Sequence, residues 1–365
     1  MMLRIAVCGD NSIAHSIAAI CAARGNFVSI LSKAPQNWHS TLDARLPDDS
    51  RLTCPLLRVT EQANEALAEA VLVFVCVPHW ELELTLKHIA GSLPNRAIVG
   101  AVPGFGGFML LAREILGSDQ ILFGNQRIPF VVRAHDWGRS VWISGIRRQS
   151  YIGTVPNRAN RAVTSLVGEV LGVRVVPVSH YINIELSPSN SLVNPARLYR
   201  LFGPDAEPMN GEVTEFFTHW DLPSAKLLLR LDAELQKARS RLPRDTSFVA
   251  PLLLQYDACD ANVLADQFRR LNTLVERPIP YKAQDGSSSP EKPLADVTST
   301  YFTEDVDIGL RLLRGVCRVG GAATPLMDEI LIWWDALPRA EKVQAPQILA
   351  YERFEDAEQL ARALD

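Results

Sequence analysis

The feature that most restricts the fold is a series of short apolar runs in the first half of the chain, separated by segments with a helical pattern. The runs occupy residues 3–8, 27–31, 71–77, 97–102 and 173–178, and helices are expected over residues 16–24, 63–70 and 80–89. Strands that are apolar along their whole length are typical of a parallel sheet covered by helices on both faces. The sequence therefore predicts an α/β fold that begins with a Rossmann-type, doubly wound parallel sheet.

The second half of the chain has a helical pattern instead. Two apolar stripes recur at steps of three and four, and they predict a long helix from about Ser224 and a later helix that ends at Gly320-Gly321. The stripes consist of Leu228, Leu231, Leu235, Ala238 and Leu242, and of Ile308, Leu312, Val316 and Val319. Residues 283–296 are polar, with Gly, Ser and Pro, and predict an exposed loop. We therefore expect two domains, residues 1–178 with the sheet and an all-helical domain at residues 179–365.

The composition excludes several classes of function. The 365 residues have a formal net charge of −4, without the basic excess of nucleic-acid-binding proteins, so no nucleic-acid partner is expected. No apolar run approaches the length of a membrane span, and the N-terminus lacks the pattern of a signal peptide, so we expect a cytoplasmic protein without membrane contact. The six cysteines form no C-x-x-C pair, which favours reduced, buried thiols and no structural metal. An exposed Trp333-Trp334 pair would mark a contact in a homodimer.

The turn after the first apolar run has the spacing of a dinucleotide-binding loop. In "VCGDNSIAHS", which begins at residue 7, Gly9 stands at the first glycine of G-x-G-x-x-G, Asn11 at the second and Ala14 at the third. In such loops the first glycine makes a tight turn, and amides at the helix N-terminus face a pyrophosphate. We therefore expect a cofactor held by Gly9, Asn11, Ser12, Ile13 and Ala14. The alternative is a structural turn that binds no ligand.

The end of the second apolar run indicates which nicotinamide cofactor binds. Ser32 and Lys33 stand there, and no acid follows before Asp43. An acid at this position accepts the ribose hydroxyls of NAD, whereas a hydroxyl and an ammonium group attract the 2′-phosphate of NADP. The sequence therefore favours NADP(H) and leaves NAD(H) open, with Val77 and Pro78 completing the expected cofactor contacts. The alternative is that Lys33 is an ordinary exposed surface charge.

Three further stretches go beyond fold class: "PGFGGF" at residues 103–108, "NSLVNPARLY" at 190–199 and "YFTEDVDIG" at 301–309. With the opening loop, "VPHW" and "RIPFVVRAHDWGR", they stand in the order of the octopine/nopaline dehydrogenase family, the opine dehydrogenases, which the chain resembles over nearly its whole length. The resemblance implies that a nucleotide domain holds NAD(P)H and a helical domain holds the substrates. The implied reaction joins the amine of an amino acid to the carbonyl of a 2-oxo acid and reduces the resulting imine with a hydride.

The resemblance also implies a catalytic site, which this chain matches unevenly. The family aspartate falls on Asp305, its substrate-binding asparagine on Asn190, and its acid–base histidine on Asn194. In a helix, Asn190 and Asn194 would share one face. A carboxamide can orient a substrate, but it does not exchange protons near neutral pH as an imidazole does. Asp305 has a second interpretation, as an acid in the first turn of a helix that Thr303 caps.

Other residues are candidates for the missing roles. A family arginine that holds the oxo-acid carboxylate is replaced by Thr300, and the candidates to bind that carboxylate are Arg127, Arg133 and Arg197. The alternative for each arginine is a surface or salt-bridge role. His180 and His219 are candidates for a displaced acid–base group.

Three functions follow from these residues. The first is an NADP-dependent oxidoreductase of the opine dehydrogenase type, acting on an amino acid and a 2-oxo acid. The second is a nucleotide-binding homologue whose catalysis is impaired, because Asn194 stands in place of the histidine. The third is a dehydrogenase that reduces the carbonyl of a simple 2-oxo acid.

Overall fold

The computed structural model of the chain describes residues 2–206, 215–270, 278–282, 294–338, 351 and 353–365, with the backbone alone for residues 133–135. The chain divides into two compact units. Unit 1 consists of Met1–Ser187 together with Ala361–Asp365, and unit 2 consists of Pro188–Leu360. The domain limits expected from the sequence, residues 1–178 and 179–365, stay a prediction.

Unit 1 contains the parallel sheet. Its strands are β1 (Arg4–Cys8), β2 (Phe27–Leu31), β3 (Thr41–Arg45), β4 (Arg51–Pro55), β5 (Arg58–Thr60), β6 (Leu72–Val75), β7 (Ile98–Ala101), β8 (Ile121–Asn125), β9 (Phe130–Asp136), β10 (Ser140–Ile146), β11 (Gln149–Val155) and β12 (Arg174–Pro177). Eight of these strands form one sheet in the order β12-β11-β8-β7-β6-β1-β2-β5. From β5 to β8 all neighbours are parallel, which is the strand order of a Rossmann sheet. The predicted fold class is confirmed.

The strand order determines where a ligand binds. The connections reverse direction between β1 and β6, and in such sheets the ligand crevice lies at the carboxyl ends of the strands beside this reversal. The far edge of the sheet is mixed, because β11 pairs antiparallel with β8 and parallel with β12. The carboxyl ends of β1, β2 and β6 are therefore the part of unit 1 to examine for a site.

The helices of unit 1 cover the sheet. They are α1 (Ser12–Ala23), α2 (Ala63–Ala66), α3 (His79–Ala90), α4 (Phe108–Leu116), α5 (Asn160–Leu171) and α6 (Ile182–Leu186). Helix α1 packs against β1 and β2 on one side and against β3, β4, β9 and β10 on another. It is consequently buried from Ala14 to Ala22, which explains why this helix consists of small residues.

A second sheet was not predicted from the sequence. It has four strands in the order β4-β3-β10-β9, with β3 parallel to β10 and the other two pairs antiparallel. Strand β3 alternates between buried Leu42 and Ala44 and exposed Thr41 and Asp43. Because only one face of this short strand is buried, its apolar pattern is too weak to distinguish it from a loop.

Unit 2 is predominantly helical. Its helices are α7 (Asn190–Phe202), α8 (Leu222–Arg239), α9 (Leu252–Gln255), α10 (Ala261–Arg269), a π-helix (Tyr301–Leu310), α11 (Arg311–Val319) and α12 (Pro325–Ala336), and a further helix, α13 (Ala357–Ala363), follows near the C-terminus. The predicted helix from Ser224 is confirmed by α8, although Leu242 lies beyond its end. The predicted stop at Gly320-Gly321 is confirmed by the end of α11. The described part of unit 2 also contains one short antiparallel pair, β13 (Tyr281–Lys282) with β14 (Leu294–Ala295).

The prediction that Trp333 and Trp334 are exposed is wrong. Trp333 and Trp334 are both buried in α12. The ring of Trp334 stacks on Phe302 at 5.2 Å, and its Nε1 donates a hydrogen bond of 2.9 Å to Asp307. These rings therefore belong to the core of unit 2, and a homodimer stays a prediction without this support.

The remaining expectations concern the state of the cysteines, the polar segment at residues 283–296 and membrane-spanning helices. All six cysteines are free thiols; five are buried, as expected, and Cys259 is exposed. Burial raises the pKa of Cys8 to about 12, so this thiol stays protonated near neutral pH. Of the expected loop at residues 283–296, residues 283–293 lie outside the described part of the chain. No described helix is long and apolar enough to cross a membrane.

Gly100 in β7 tests the packing of the parallel sheet. A Cβ at Gly100 would overlap the ring of Phe123 on β8, so Gly100→Ala is expected to lower the free energy of unfolding by about 1 to 3 kcal/mol through overpacking. The matched control is Gly91→Ala at the end of α3, where a Cβ meets nothing within 4 Å. Thermal melts of both variants check this, since about 1 kcal/mol lowers the melting temperature by about 2 to 4 °C in a unit of this size. Equal melting temperatures for the two variants would contradict the packing.

Candidate functional site

The turn after β1 requires glycine. Gly9 has φ +132°, and a Cβ there would overlap the carbonyl oxygen of Cys76, which follows β6. The amide of Gly9 donates a hydrogen bond of 3.0 Å to the carbonyl of Leu31, the last residue of β2. Because residue 9 has no side chain, the carboxyl ends of β1, β2 and β6 meet at one point. Gly9 thus stands where the first glycine of the predicted loop is required.

Asn11 has a different role from the glycine that it replaces. Its Oδ1 accepts hydrogen bonds of 3.0 Å from the amides of Ile13 and Ala14, so Asn11 caps the N-terminus of α1. Ser12 is the first residue of the helix, and Ala14 is fully buried, as the close packing of the third position requires. Two of the amides expected to face a pyrophosphate are therefore bonded to the Asn11 carboxamide in this structure.

A cavity of about 350 Å³ lies beside the Gly9 turn, entirely within unit 1. Its walls include Gly9, Ser32, Lys33 and Val77 from the predicted set, whereas Pro78, which precedes α3, does not line it. The remaining lining residues were not predicted from the sequence; they are Cys8, Asp10, Leu31, Glu61, Glu81, Leu84, Thr85 and His88. Helix α3 contributes Glu81, Leu84, Thr85 and His88 to the cavity. Because α3 follows β6, knowing that β6 pairs with β1 would have pointed to these residues.

The cavity contains both signs of charge. The Nζ of Lys33 lies 2.7 Å from the Oε2 of Glu81. The carboxylate of Asp10 accepts hydrogen bonds of 3.0 Å from the backbone amide of Lys33 and from the Nε1 of Trp38. The hydroxyl of Ser32 accepts a hydrogen bond of 3.0 Å from the amide of Ala34. Two acids that are distant in the sequence, Asp10 and Glu81, thus lie beside Lys33 at the end of β2.

The "PGFGGF" segment forms a tightly packed loop after β7. The amides of Gly106 and Gly107 donate hydrogen bonds of 3.0 and 3.1 Å to the Oε2 of Glu185, which is buried on α6. The hydroxyl of Tyr181 donates a hydrogen bond of 2.5 Å to the carbonyl of Gly104. Burial and the nearby Glu185 raise the pKa of Tyr181, so this hydroxyl stays protonated and keeps donating. The glycines of this segment are therefore explained by packing within unit 1.

Asn194 and Asp305, which the resemblance implies as the catalytic pair, are brought together in unit 2. The Nδ2 of Asn194 donates a hydrogen bond of 2.7 Å to the Oδ2 of Asp305. Asn194 is buried, and its Oδ1 accepts no hydrogen bond from any residue that the structure describes. The pair therefore fixes the carboxamide of Asn194, whose buried oxygen has no donor among the described residues.

Close packing of two helices fixes this pair. Ser191 lies one turn before Asn194 on α7, and Gly309 lies one turn after Asp305 on the π-helix. A Cβ at Gly309 would overlap the Oγ of Ser191 and come within 2.7 Å of its Cβ. Because Gly309 has no side chain, the two helices approach closely enough for the bond between Asn194 and Asp305.

The expected helix cap at Thr303 is wrong. The π-helix begins at Tyr301, so Thr303 and Asp305 lie inside it, and Thr300 is the preceding residue. The hydroxyl of Thr303 donates a hydrogen bond of 3.3 Å to the carbonyl of Ser299 instead of accepting one from a helix amide. Wide π-helical turns are frequent at functional sites. The position of Asp305 is thus not explained by capping.

Asn190 and Asn194 both lie on α7, as predicted, and the helix continues through Pro195 to Phe202. Their environments differ, because Asn190 is exposed whereas Asn194 is buried. The structure describes no hydrogen bond from the Asn190 side chain to Asp305. A role for Asn190 in substrate binding stays a prediction.

The three candidate arginines lie in different environments. Arg197 is buried in unit 2, where its guanidinium donates to the Oγ of Ser224 at 3.1 Å and the carbonyl of His219 at 2.6 Å, and lies 3.1 Å from Asp221. Burial lowers the pKa of Arg197 to about 10 although Asp221 favours the charged form. Arg127 is half-buried after β8 in unit 1, and the side chain of Arg133 on β9 lies outside what the structure describes. Carboxylate binding by these arginines stays a prediction.

The two candidate histidines also lie in different environments. His180 is buried in unit 1, with its Nδ1 accepting a hydrogen bond of 3.1 Å from the amide of Ile182 and its Nε2 2.8 Å from Asp365. His219 is exposed in unit 2. A displaced acid–base role for either histidine stays a prediction.

Comparison with known proteins gives consistent results. Residues 177–337 match the family model described as NAD/NADP octopine/nopaline dehydrogenase, alpha-helical domain. The uncharacterized protein y4xO of Sinorhizobium fredii is 27% identical over 359 residues, covering 91% of this chain and 94% of that protein. Octopine dehydrogenase of Pecten maximus is 23% identical over 368 residues, covering 91% of this chain and 90% of that enzyme. The structure of octopine dehydrogenase with NADH and L-arginine has a TM-score of 0.83 at 21% identity, covering 99% of this chain and 98% of the other, which shows a shared fold.

Gly309 tests how the carboxamide pair is positioned. Gly309→Ala is expected to push the π-helix away from α7 and to lower the free energy of unfolding by about 1 to 3 kcal/mol. Adding Ser191→Gly removes both overlapping atoms and is expected to restore most of the loss. The control is Gly320→Ala after α11, where the nearest atoms are 3.4 Å from an added Cβ. Thermal denaturation of the four proteins measures this, and a loss that Ser191→Gly does not reduce would contradict the proposed contact.

Proposed function

The chain belongs to the octopine/nopaline dehydrogenase family of oxidoreductases, and on that premise we propose that it reduces the imine of an amino acid and a 2-oxo acid with a hydride from NADPH. The observation that carries the proposal is the cavity beside the Gly9 turn, at the carboxyl ends of β1, β2 and β6. The structure of octopine dehydrogenase with NADH and L-arginine supports a nicotinamide dinucleotide and an amino acid as ligands.

Unit 1 has the features needed to hold the dinucleotide. The tight turn at Gly9 brings the ends of β1, β2 and β6 together, and a side chain there would overlap the carbonyl oxygen of Cys76. The amide of Ser12 would face the pyrophosphate at the N-terminus of α1, and the amide of Ile13 would do so in place of its hydrogen bond to Asn11. Ser32 and Lys33 would receive the adenosine ribose at the end of β2. When bound, the nicotinamide supplies the hydride, and the protein supplies position and electrostatic field.

Unit 2 contributes a carboxamide and a carboxylate. Asn194, held by its bond to Asp305, orients a ligand donor such as a substrate ammonium or amine through its Oδ1. The carboxylate of Asp305 is the group of this pair that can accept a proton from the attacking amine. Asn194 thus takes over orientation, and proton transfer falls to Asp305.

The preference between NADPH and NADH depends on opposing charges. Lys33 lines the cavity with an exposed ammonium group, which favours a 2′-phosphate. Asp10, Glu61 and Glu81 line the same cavity and oppose a further negative charge. We propose NADPH as the favoured reductant because no acid stands at the end of β2 itself, with NADH as the alternative.

A second candidate function is a nucleotide-binding homologue with impaired catalysis. It is favoured by one observation: an asparagine, which does not exchange protons, is bonded to Asp305 at the position of the family histidine. Loss of general acid–base catalysis typically lowers rates by about 100- to 10,000-fold. The reduction of a simple 2-oxo acid carbonyl has no such support and stays a prediction, as does a cytoplasmic location.

Nucleotide binding is tested at the opening loop. Asn11→Gly is expected to bind NADPH and NADH about 3 to 10 times more tightly, because a phosphate then displaces no internal hydrogen bond worth about 0.5 to 1.5 kcal/mol. The same change is expected to cost the ligand-free protein only a few tenths of a kcal/mol as a lost cap. Calorimetry measures the affinities, and Gly9→Ala, which closes the turn, is the control expected to lose binding. The absence of any heat or thermal stabilisation of the wild-type protein by either nucleotide would exclude the proposed function.

Catalytic competence is tested at Asn194. Asn194→His places an imidazole beside Asp305, and we expect it to raise the turnover of amine and 2-oxo acid pairs by at least about 10-fold, within the range of general acid–base effects. Asn194→Gln is the control, because it adds similar volume without a group that exchanges protons. Steady-state oxidation of NADPH measures both variants. A wild-type protein that binds NADPH but turns over no pair, while Asn194→His does, would support the impaired homologue instead.

A further inference from the structure

The cavity beside the Gly9 turn contains an ion pair that was not predicted from the sequence. Lys33 follows β2, and Glu81 lies in the first turn of α3, after β6. Their Nζ and Oε2 atoms are 2.7 Å apart, and both residues line the cavity. The Lys33 side chain is 66% exposed and that of Glu81 27% exposed, so Glu81 is the more enclosed partner. The pair thus stands at the place where a ribose 2′ substituent is recognised.

The charges around this pair are predominantly negative. Lys33 is the single permanent cation among the described residues that line the cavity, whereas Asp10, Glu61 and Glu81 are acids and His88 is a histidine. Asp10 is already bonded to the backbone amide of Lys33 and to the indole of Trp38. Glu81 is consequently the acid that meets the ammonium group of Lys33 itself.

We propose that Glu81 is a residue that determines cofactor specificity, because it competes with the 2′-phosphate of NADPH for the ammonium group of Lys33. This inference rests on the proposed binding of a nicotinamide dinucleotide in this cavity. NADH, whose ribose has a neutral 2′-hydroxyl, leaves the ion pair intact. NADPH has to share Lys33 with the carboxylate or displace it. Glu81 therefore weakens the binding of NADPH more than that of NADH.

Glu81 also has a structural role, which the experiment must distinguish from an effect on cofactor binding. An acid in the first turn of a helix stabilises the helix through the dipole, whatever ligand binds. Glu83 lies two residues later on the same helix and pairs with Lys87 at 2.5 Å, but it does not line the cavity. Removal of either charge changes the net charge of the protein equally. Glu83→Gln is therefore the matched control for Glu81→Gln.

The experiment measures dissociation constants of NADPH and NADH by calorimetry for the full chain, with no turnover required. Glu81→Gln is expected to tighten NADPH by about tenfold, equivalent to about 1.4 kcal/mol, and to change NADH by less than about twofold. Glu83→Gln is expected to leave the ratio of the two constants unchanged. Because the effect is electrostatic and near the surface, the gain is expected to shrink as ionic strength rises.

Lys33→Met completes the cycle. Lys33→Met is expected to weaken the binding of NADPH. In its background, the gain in NADPH affinity from Glu81→Gln is expected to fall below about threefold, because the ammonium group for which Glu81 and the 2′-phosphate compete is then absent. A gain that persists undiminished without Lys33, or equal changes in NADPH and NADH, would overturn the proposal. A lower melting temperature of Glu81→Gln with an unchanged ratio would assign Glu81 the helix role alone. Failure of the wild-type protein to bind either nucleotide would instead refute the proposed function.

Discussion

The contact between Gly9 and the carbonyl of Cys76 is the constraint on which the rest of unit 1 depends. At φ +132°, with no side chain, residue 9 allows β1 to end directly beside β6. The turn into α1, the end of β2 and the start of α3 then surround one cavity. Lys33 and Glu81 meet there although they are distant in the sequence. Any larger residue at position 9 would separate these elements before it affected a ligand.

The sequence predicts this part of the fold well because buried parallel strands have a strong apolar pattern. The run at residues 27–31 coincides with β2, and the glycine of the loop was found because only glycine suits that turn. The four-stranded sheet was missed because strands such as β3 are short and half-exposed. The ion pair of the cavity was missed because it depends on which strand neighbours β1, which no local pattern of the chain determines.

The site in unit 2 shows a different limit of prediction. The resemblance identified Asn194 and Asp305 as a pair, and the structure places them 2.7 Å apart. The alternative interpretation placed Asp305 in the first turn of an α-helix capped by Thr303, because a threonine followed by acids is typical of a helix start. The segment is a π-helix with wider turns, so the expected cap at Thr303 was wrong. Gly309 was not recognised as the residue that lets α7 approach, because its effect depends on Ser191 in another helix.

Asparagine replaces an expected residue in both units, and the two replacements have opposite consequences. Asn11 stands in place of a glycine, and its Oδ1 occupies amides that a phosphate would use. It therefore stabilises the loop, and a phosphate there would have to displace these hydrogen bonds. Asn194 stands in place of a histidine, and its Nδ2 is bonded to Asp305 while its Oδ1 accepts from no described residue. This bond fixes the carboxamide, so a ligand bound through it would cost less side-chain entropy, although a carboxamide does not transfer protons as an imidazole does.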